Sequence, residues 1–64
     1  MINYVIVSVS PLRFKIAVYL GKKHIGDIRH EQLTGGYYYL VKGGKHRGET
    51  FATVNQVKHS LEGP

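Results

Sequence analysis

The sequence predicts an α+β fold, in which a small antiparallel sheet of three to four strands carries one C-terminal helix packed on one face. Short segments rich in β-branched and aromatic residues come first, separated by glycine or proline turns. After them, apolar residues recur at helical spacing behind a threonine that fits a helix N-cap. The 64 residues are enough for one small domain, so residues 1–64 are predicted to form a single domain.

Two strands are predicted in the first 20 residues. Residues 4–9 are β-branched with apolar side chains on both faces, which favours a central strand ended by Ser10-Pro11. Residues 13–20 alternate regularly, which predicts one core face and one outer face that is basic with an aromatic end. The core set is Phe14, Ile16, Val18 and Leu20, and the outer set is Arg13, Lys15, Ala17 and Tyr19.

Two further strands are predicted after the hairpin turn at Gly21. In residues 24–29, Ile25 and Ile28 would lie on opposite faces of a regular strand, but Gly26 between them favours a bulge that turns both inward. A polar loop over residues 30–36 leads to a strand over residues 37–42, which lies between two glycine pairs. This tyrosine-rich strand has one face for the core and one for solvent.

The last element is a predicted helix with clear end signals. Thr53 and Gln56 fit a capping box, which satisfies backbone amides at the helix start. Apolar residues at helical spacing line one side of it, and a glycine and a proline end it. The helix is too short to be stable alone and is therefore predicted to pack on the sheet. The apolar residues are Val54, Val57 and Leu61, and the terminating residues are Gly63 and Pro64.

Composition limits the classes of protein that fit. The chain has no cysteine, which excludes disulfides and thiolate zinc sites. Its formal net charge of +5 favours an anionic partner such as nucleic acid, although a charge of this size also simply keeps a small domain in solution. No targeting segment is visible, and no window approaches the ~20 apolar residues of a membrane span. We therefore expect a soluble, cytoplasmic protein with no membrane partner.

Catalysis finds little support in the sequence. The four acidic residues form no close pair, and no serine lies on a nucleophile elbow. The histidines lack the spacing of metal ligands and are expected at exposed or edge positions. We therefore predict no enzymatic activity, no catalytic residue, no cofactor and no metal site. The histidines concerned are His24, His30, His46 and His59.

Two basic regions are candidates for DNA binding. Residues 43–50 form a glycine-rich basic loop before the helix, where unpaired amides and the helix dipole suit a phosphate. The outer face of the second strand is basic and aromatic, which suits DNA if the helix covers the opposite face. In both regions, ordinary solvent-facing charge is the simpler alternative. The predicted DNA-binding residues are Arg13, Lys15, Tyr19, Lys22, Lys23, Lys42, Lys45 and Arg47.

A second class of function also fits. An exposed sheet edge or a patch of tyrosines could bind a protein, which makes the chain an inhibitor or modulator of a host enzyme. A structural accessory that works only as an oligomer, such as a homodimer, is the third option. A continuous basic face would favour DNA, whereas an apolar patch rimmed by charge would favour a protein partner.

Two resemblances bear on these alternatives. The first rests on a set of residues in the second half of the chain: Gly36-Tyr37-Tyr38-Tyr39, Lys42-Gly43, Gly48-Glu49-Thr50-Phe51, Thr53, Val57-Lys58 and Ser60-Leu61-Glu62-Gly63. This half resembles short uncharacterised proteins of bacteriophages and prophages, which implies a phage or mobile-element origin and brings no catalytic residues.

The second resemblance is one of layout. The hairpin over residues 20–26, with the strands and helix, is similar to the AP2 domain and the arm-binding domain of tyrosine-type integrases. Those domains use an open sheet face on DNA, but this chain has no tryptophan, no dense arginine set and an extra first strand.

Overall fold

A computed structural model of the chain describes residues 1–10, 12–44 and 48–63. Its strands form a four-stranded antiparallel sheet in the order β1-β2-β3-β4, followed by one C-terminal helix. This arrangement confirms the predicted α+β fold class. The elements are β1 (Ile2–Ser8), β2 (Lys15–Leu20), β3 (Lys23–His30), β4 (Tyr37–Val41) and α1 (Val54–Glu62).

The prediction of a central first strand was wrong, because β1 lies at one edge of the sheet and pairs only with β2. Apolar residues on both faces of a strand indicate burial only if both faces are covered, and here they are not. Val5, Ile6 and Val7 are each at least half exposed. A register shift between Ile6 and Ser8 interrupts the pairing near the end of the strand.

The central pair β2–β3 contains the predicted bulge. Val18 pairs with Gly26 and Tyr19 pairs with His24, so Ile25 is the extra residue on β3. Ile28 is fully buried and Ile25 packs against the core, as the sequence predicted for a bulge beside Gly26. The bulge therefore lets two apolar residues that are three apart serve one core.

The ring of Tyr39 on β4 lies directly over Gly26 on β3. A Cβ atom at Gly26 would lie 2.5 Å from the Leu40 carbonyl oxygen and 2.5 Å from the Tyr39 hydroxyl. The Tyr39 hydroxyl donates a 2.9 Å hydrogen bond to the Ile25 carbonyl oxygen. Glycine is required here because two strands and an aromatic ring approach the same backbone position.

Helix α1 packs on the sheet as predicted. Its capping box is present. The backbone amide of Gln56 donates to Thr53 Oγ1 at 3.2 Å, and the backbone amide of Thr53 donates to Gln56 Oε1 at 3.2 Å. Val57 is fully buried and forms the centre of the core with Ile16, Val18 and Ile28. Gly63 is the C-cap with a φ of 79°, as the sequence indicated, while Pro64 lies outside the described residues.

The chain before α1 pairs with the outer edge of β4. The Tyr37 amide donates to the Phe51 carbonyl and the Phe51 amide to the Tyr37 carbonyl, both at 2.7 Å. The Gly48 amide donates to the Tyr39 carbonyl at 3.1 Å. These hydrogen bonds place the beginning of α1 beside β4. At the far end of the helix, Glu62 accepts a 2.7 Å hydrogen bond from the Tyr4 hydroxyl, so α1 crosses the sheet from β4 to β1.

Candidate nucleic-acid interface

The helix covers one face of the sheet and leaves the opposite face, here named the open face, without a covering element among the described residues. Strand alternation and register assign the side chains of this face, since residues directly opposite in a ladder share a face. The open face comprises Asn3 and Val5 of β1, Lys15, Ala17 and Tyr19 of β2, His24, Asp27 and Arg29 of β3, and Tyr38 and Leu40 of β4.

A basic and aromatic row crosses one end of the open face. Lys15 pairs with Arg29, and Arg29 pairs with Tyr38, so the three side chains occupy adjacent strands. Neighbouring strands lie about 4.8 Å apart, which brings the two cationic side chains close together. Among the described residues, neither cation has a carboxylate oxygen within 4.0 Å. The row is therefore a concentrated positive site.

The acidic group of the open face is held by a histidine. Asp27 Oδ1 lies 3.0 Å from His24 Nε2, and the ring of His24 lies 5.3 Å from that of Tyr19. Asp27 lies two ladder positions from the Lys15–Arg29 pair, opposite the small, buried Ala17.

The predicted DNA-binding residues divide between the two ends of the sheet. Lys15 and Tyr19 lie on the open face, but Arg13 lies before β2, because the strand begins at Lys15 and not at residue 13 as expected. Lys22 lies in the β2–β3 turn, and Lys23 pairs with Leu20 on the side of the sheet that α1 occupies.

The remaining predicted cations, Lys42, Lys45 and Arg47, are only partly described. The Lys42 amide donates to the Ile25 carbonyl, which places Lys42 at the same end of the sheet as the β2–β3 turn. Lys45 and Arg47, the centre of the predicted phosphate-binding loop, lie outside the described residues. The structure therefore brings Lys15 and Tyr19 onto one face and places Lys22, Lys23 and Lys42 at one end of the sheet.

Arg29 is a candidate residue that was not predicted. The signal was present in the sequence, since a bulge that turns Ile25 and Ile28 inward leaves Asp27 and Arg29 on the other face. The register confirms this placement, with Arg29 opposite Lys15. Its position beside Lys15 could be found only by pairing β2 with β3 in the correct register.

The tyrosines serve two purposes. Tyr4, Tyr37 and Tyr39 pack against the core, while Tyr19 and Tyr38 belong to the open face. Burial raises the pKa of the Tyr4 hydroxyl, and the hydrogen bond to Glu62 and the charge of that carboxylate add to the effect. Burial, with the nearby Asp27 charge, also raises the pKa of Tyr39. Because three tyrosines pack against the core and two lie on the open face, the five do not form a single patch.

The histidines are not all at exposed or edge positions. His30 packs between aromatic rings, with centroids 5.1 Å from Tyr37 and 6.5 Å from Phe14. Its Nδ1 atom is buried and finds no hydrogen-bond partner in the part of the chain that the structure describes. Within residues 1–10, 12–44 and 48–63, no three His, Asp or Glu side chains lie close enough together to hold a metal ion.

Comparison with known proteins identifies no relative. The chain matches no protein-family model, no curated protein and no solved structure. The resemblances to phage proteins and to the AP2 and integrase arm-binding domains therefore stay predictions. None of the helices in the described residues is both long enough and apolar enough to cross a membrane.

Proposed function

We propose that this protein binds DNA non-enzymatically through the open face of its sheet, with Lys15 and Arg29 at the centre of the contact. The observation that carries the proposal is the ladder pairing of Lys15 with Arg29, beside Tyr38 on the next strand. Tyr19 and Lys42 extend the surface toward the other end of the sheet. Basic and aromatic side chains on a sheet suit phosphates and stacked bases.

Physical chemistry supports an anion at this row. Like charges placed directly opposite each other in a ladder destabilise a sheet, and a bound phosphate would remove that repulsion. The row crosses the two central strands, whose positions are fixed by pairing on both sides. The backbone positions of the two cations are therefore set before binding, and the cost that remains is the rotamer freedom of their side chains.

The test is a fluorescence anisotropy titration with short duplex and single-stranded DNA across a salt series. Each phosphate contact contributes ~0.9 to the slope of log affinity against log salt for duplex DNA. We expect Lys15→Gln and Arg29→Gln each to reduce that slope by about 0.9 and to weaken binding similarly for all sequences. Lys58→Gln removes the same charge from the helix, and we expect it to leave the slope unchanged.

Two results would overturn the proposal. One is wild-type binding at low salt no tighter than the ~10⁻⁴ M end of ordinary non-specific affinity. The other is a slope that falls as much in Lys58→Gln as in Lys15→Gln, which would show that charge alone and not the open face is responsible. Circular dichroism of each variant checks that the fold is retained.

A further inference from the structure

The two edges of the sheet are unlike each other. The outer edge of β4 is occupied by the chain itself, through hydrogen bonds from Gly48 and Phe51 and to Phe51. No such segment lies along the outer edge of β1 among the described residues. Natural proteins usually protect an exposed strand edge with charge, proline or a covering segment. From residue 2 to residue 10, this chain has no charged side chain and no proline.

The hydrogen bonds of β1 show which backbone groups face outward. The Gly21 amide donates to the Met1 carbonyl, which continues by one position the register that pairs Ile2 with Leu20. Alternation in an antiparallel ladder then points the amides and carbonyls of Ile2, Tyr4 and Ile6 away from β2. Three consecutive outward positions are a template for one more strand.

We infer that a second copy of this chain pairs with β1 and forms a two-fold symmetric dimer with a continuous eight-stranded sheet. An antiparallel strand is complementary to itself, so two identical edges can satisfy each other about a two-fold axis. One register uses all three outward positions: Tyr4 pairs with its copy, and Ile2 pairs with Ile6 of the other copy. The same register pairs Asn3 with Val5 on the open face.

Charge favours a second copy at this edge in particular. The net charge of +5 would make most contacts between two copies repulsive, but β1 itself is uncharged. Beside it, Lys58 Nζ lies 4.7 Å above the centre of the Tyr4 ring, and Glu62 accepts from the Tyr4 hydroxyl. A two-fold axis at Tyr4 therefore brings a cation and an anion of each copy to the dimer interface, where opposite charges can face each other.

Apolar burial adds to this pairing. Ile6 is 66% exposed and Val5 is 50% exposed, although both belong to a strand of the sheet. Among the described residues, the buried core of the monomer consists of a few side chains, so additional apolar burial has a large relative effect. One strand edge buries less than a standard interface of about 1,600 Å², so we expect a weak, reversible dimer.

The experiment measures mass by analytical ultracentrifugation over about 1–500 μM, the range that populates a dimer of micromolar Kd. The wild-type chain should rise with concentration from 7.2 kDa toward twice that mass. Asn3→Lys/Val5→Lys places lysines opposite each other across the dimer interface and should keep the chain monomeric. Asn3→Lys/Val5→Glu places opposite charges there in the inferred register and should restore the dimer.

A control variant distinguishes disruption of this dimer interface from a general effect of added positive charge. Asn55→Lys/Ser60→Lys adds two positive charges at exposed positions of α1 and should leave the dimer intact. A wild-type mass that stays at 7.2 kDa across the range overturns the inference and leaves the edge to a different protein strand. A dimer that persists in Asn3→Lys/Val5→Lys also overturns it, because the dimer interface would then lie elsewhere.

Discussion

Gly26 shows how one residue couples the bulge, the core and the two strands beside it. The missing side chain leaves room for the Tyr39 ring, whose hydroxyl then satisfies the Ile25 carbonyl at the bulge. Aromatic rings over glycine supply the apolar cover that the glycine itself lacks. The bulge in turn places Arg29 opposite Lys15, so the basic row depends on this position.

Replacing Gly26 by alanine should destabilise the fold. The new Cβ would lie 2.5 Å from the Leu40 carbonyl oxygen, and this backbone atom cannot move without shifting β4. Overpacking of this kind costs about 1–3 kcal/mol, which thermal or urea unfolding of Gly26→Ala would measure.

The matched control for this substitution is Gly21→Asn. Gly21 has a φ of 64° with nothing within 4 Å of a Cβ, and asparagine tolerates that conformation. We expect the control to stay close to wild-type stability. An unfolding midpoint in Gly26→Ala equal to that of Gly21→Asn would contradict the close packing described here.

At the residue scale, the sequence predicted what local rules determine. Thr53 and Gln56 identified the capping box, and Gly26 between two isoleucines identified the bulge. The partners of Arg29 and His30 depend on residues of other strands, which no local pattern contains. Arg29 was therefore missed as a candidate, and His30 was expected at an exposed or edge position although it packs against Phe14 and Tyr37.

At the scale of elements, α1 depends on the sheet for its stability. A helix of nine residues is not stable alone in water. Val57 is its fully buried residue and packs in the core with Ile16, Val18 and Ile28. The capping box and the Phe51 pairing fix where the helix begins, and Val57 fixes which side faces the sheet.

Val57→Asp should unfold the domain, because it places an unpaired charge in the centre of a small core. Val57→Ala should instead destabilise it by about 1.5–3 kcal/mol, the range for burying such a side chain. Asn55→Asp adds the same charge at an exposed position in the first turn of α1, where the helix dipole favours it. Cooperative thermal unfolding followed by circular dichroism checks all three variants.

The outcome that contradicts this account is a Val57→Asp melt identical to that of Asn55→Asp. Such a result would mean that α1 does not pack on the sheet through Val57. The intermediate variant Val57→Ala keeps the test informative if the aspartate variant cannot be purified.

Strand order marks the limit of sequence reasoning at this scale. Hydrophobic alternation located all four strands, because each needs an apolar face for the core. Alternation does not say which strands are neighbours, and β1 resembles a central strand since it has valines and isoleucines on both faces. Its apolar exposure is explained if a second chain covers the edge, as inferred above.

At the scale of the whole molecule, the two faces of the sheet carry different groups of side chains. One face holds the helix, the core and three tyrosines, while the other presents the Lys15–Arg29 row. A two-fold axis at Tyr4 that is perpendicular to the sheet would keep both open faces on the same side. The proposed DNA-binding row would then occur twice on one continuous surface.

The helix-covered face also predicts how stability depends on pH. Tyr4 on β1 and Tyr39 on β4 both have a raised pKa in the folded chain, mainly because burial penalises the charged phenolate. In the unfolded chain a tyrosine titrates near pH 10. A raised pKa on folding means that the stabilisation is complete below about pH 10 and is lost as the pH rises toward the folded-state values.

We therefore expect the free energy of unfolding to fall above about pH 10, measured by urea unfolding at closely spaced alkaline pH values. Tyr4→Phe/Tyr39→Phe should flatten this fall, because neither position can then ionise, although the variant loses two hydrogen bonds and starts from lower stability. Tyr19→Phe removes a phenol from the open face and leaves both groups in place, so the fall should persist there. A fall of equal steepness in the double variant and in Tyr19→Phe would show that other groups cause the alkaline loss.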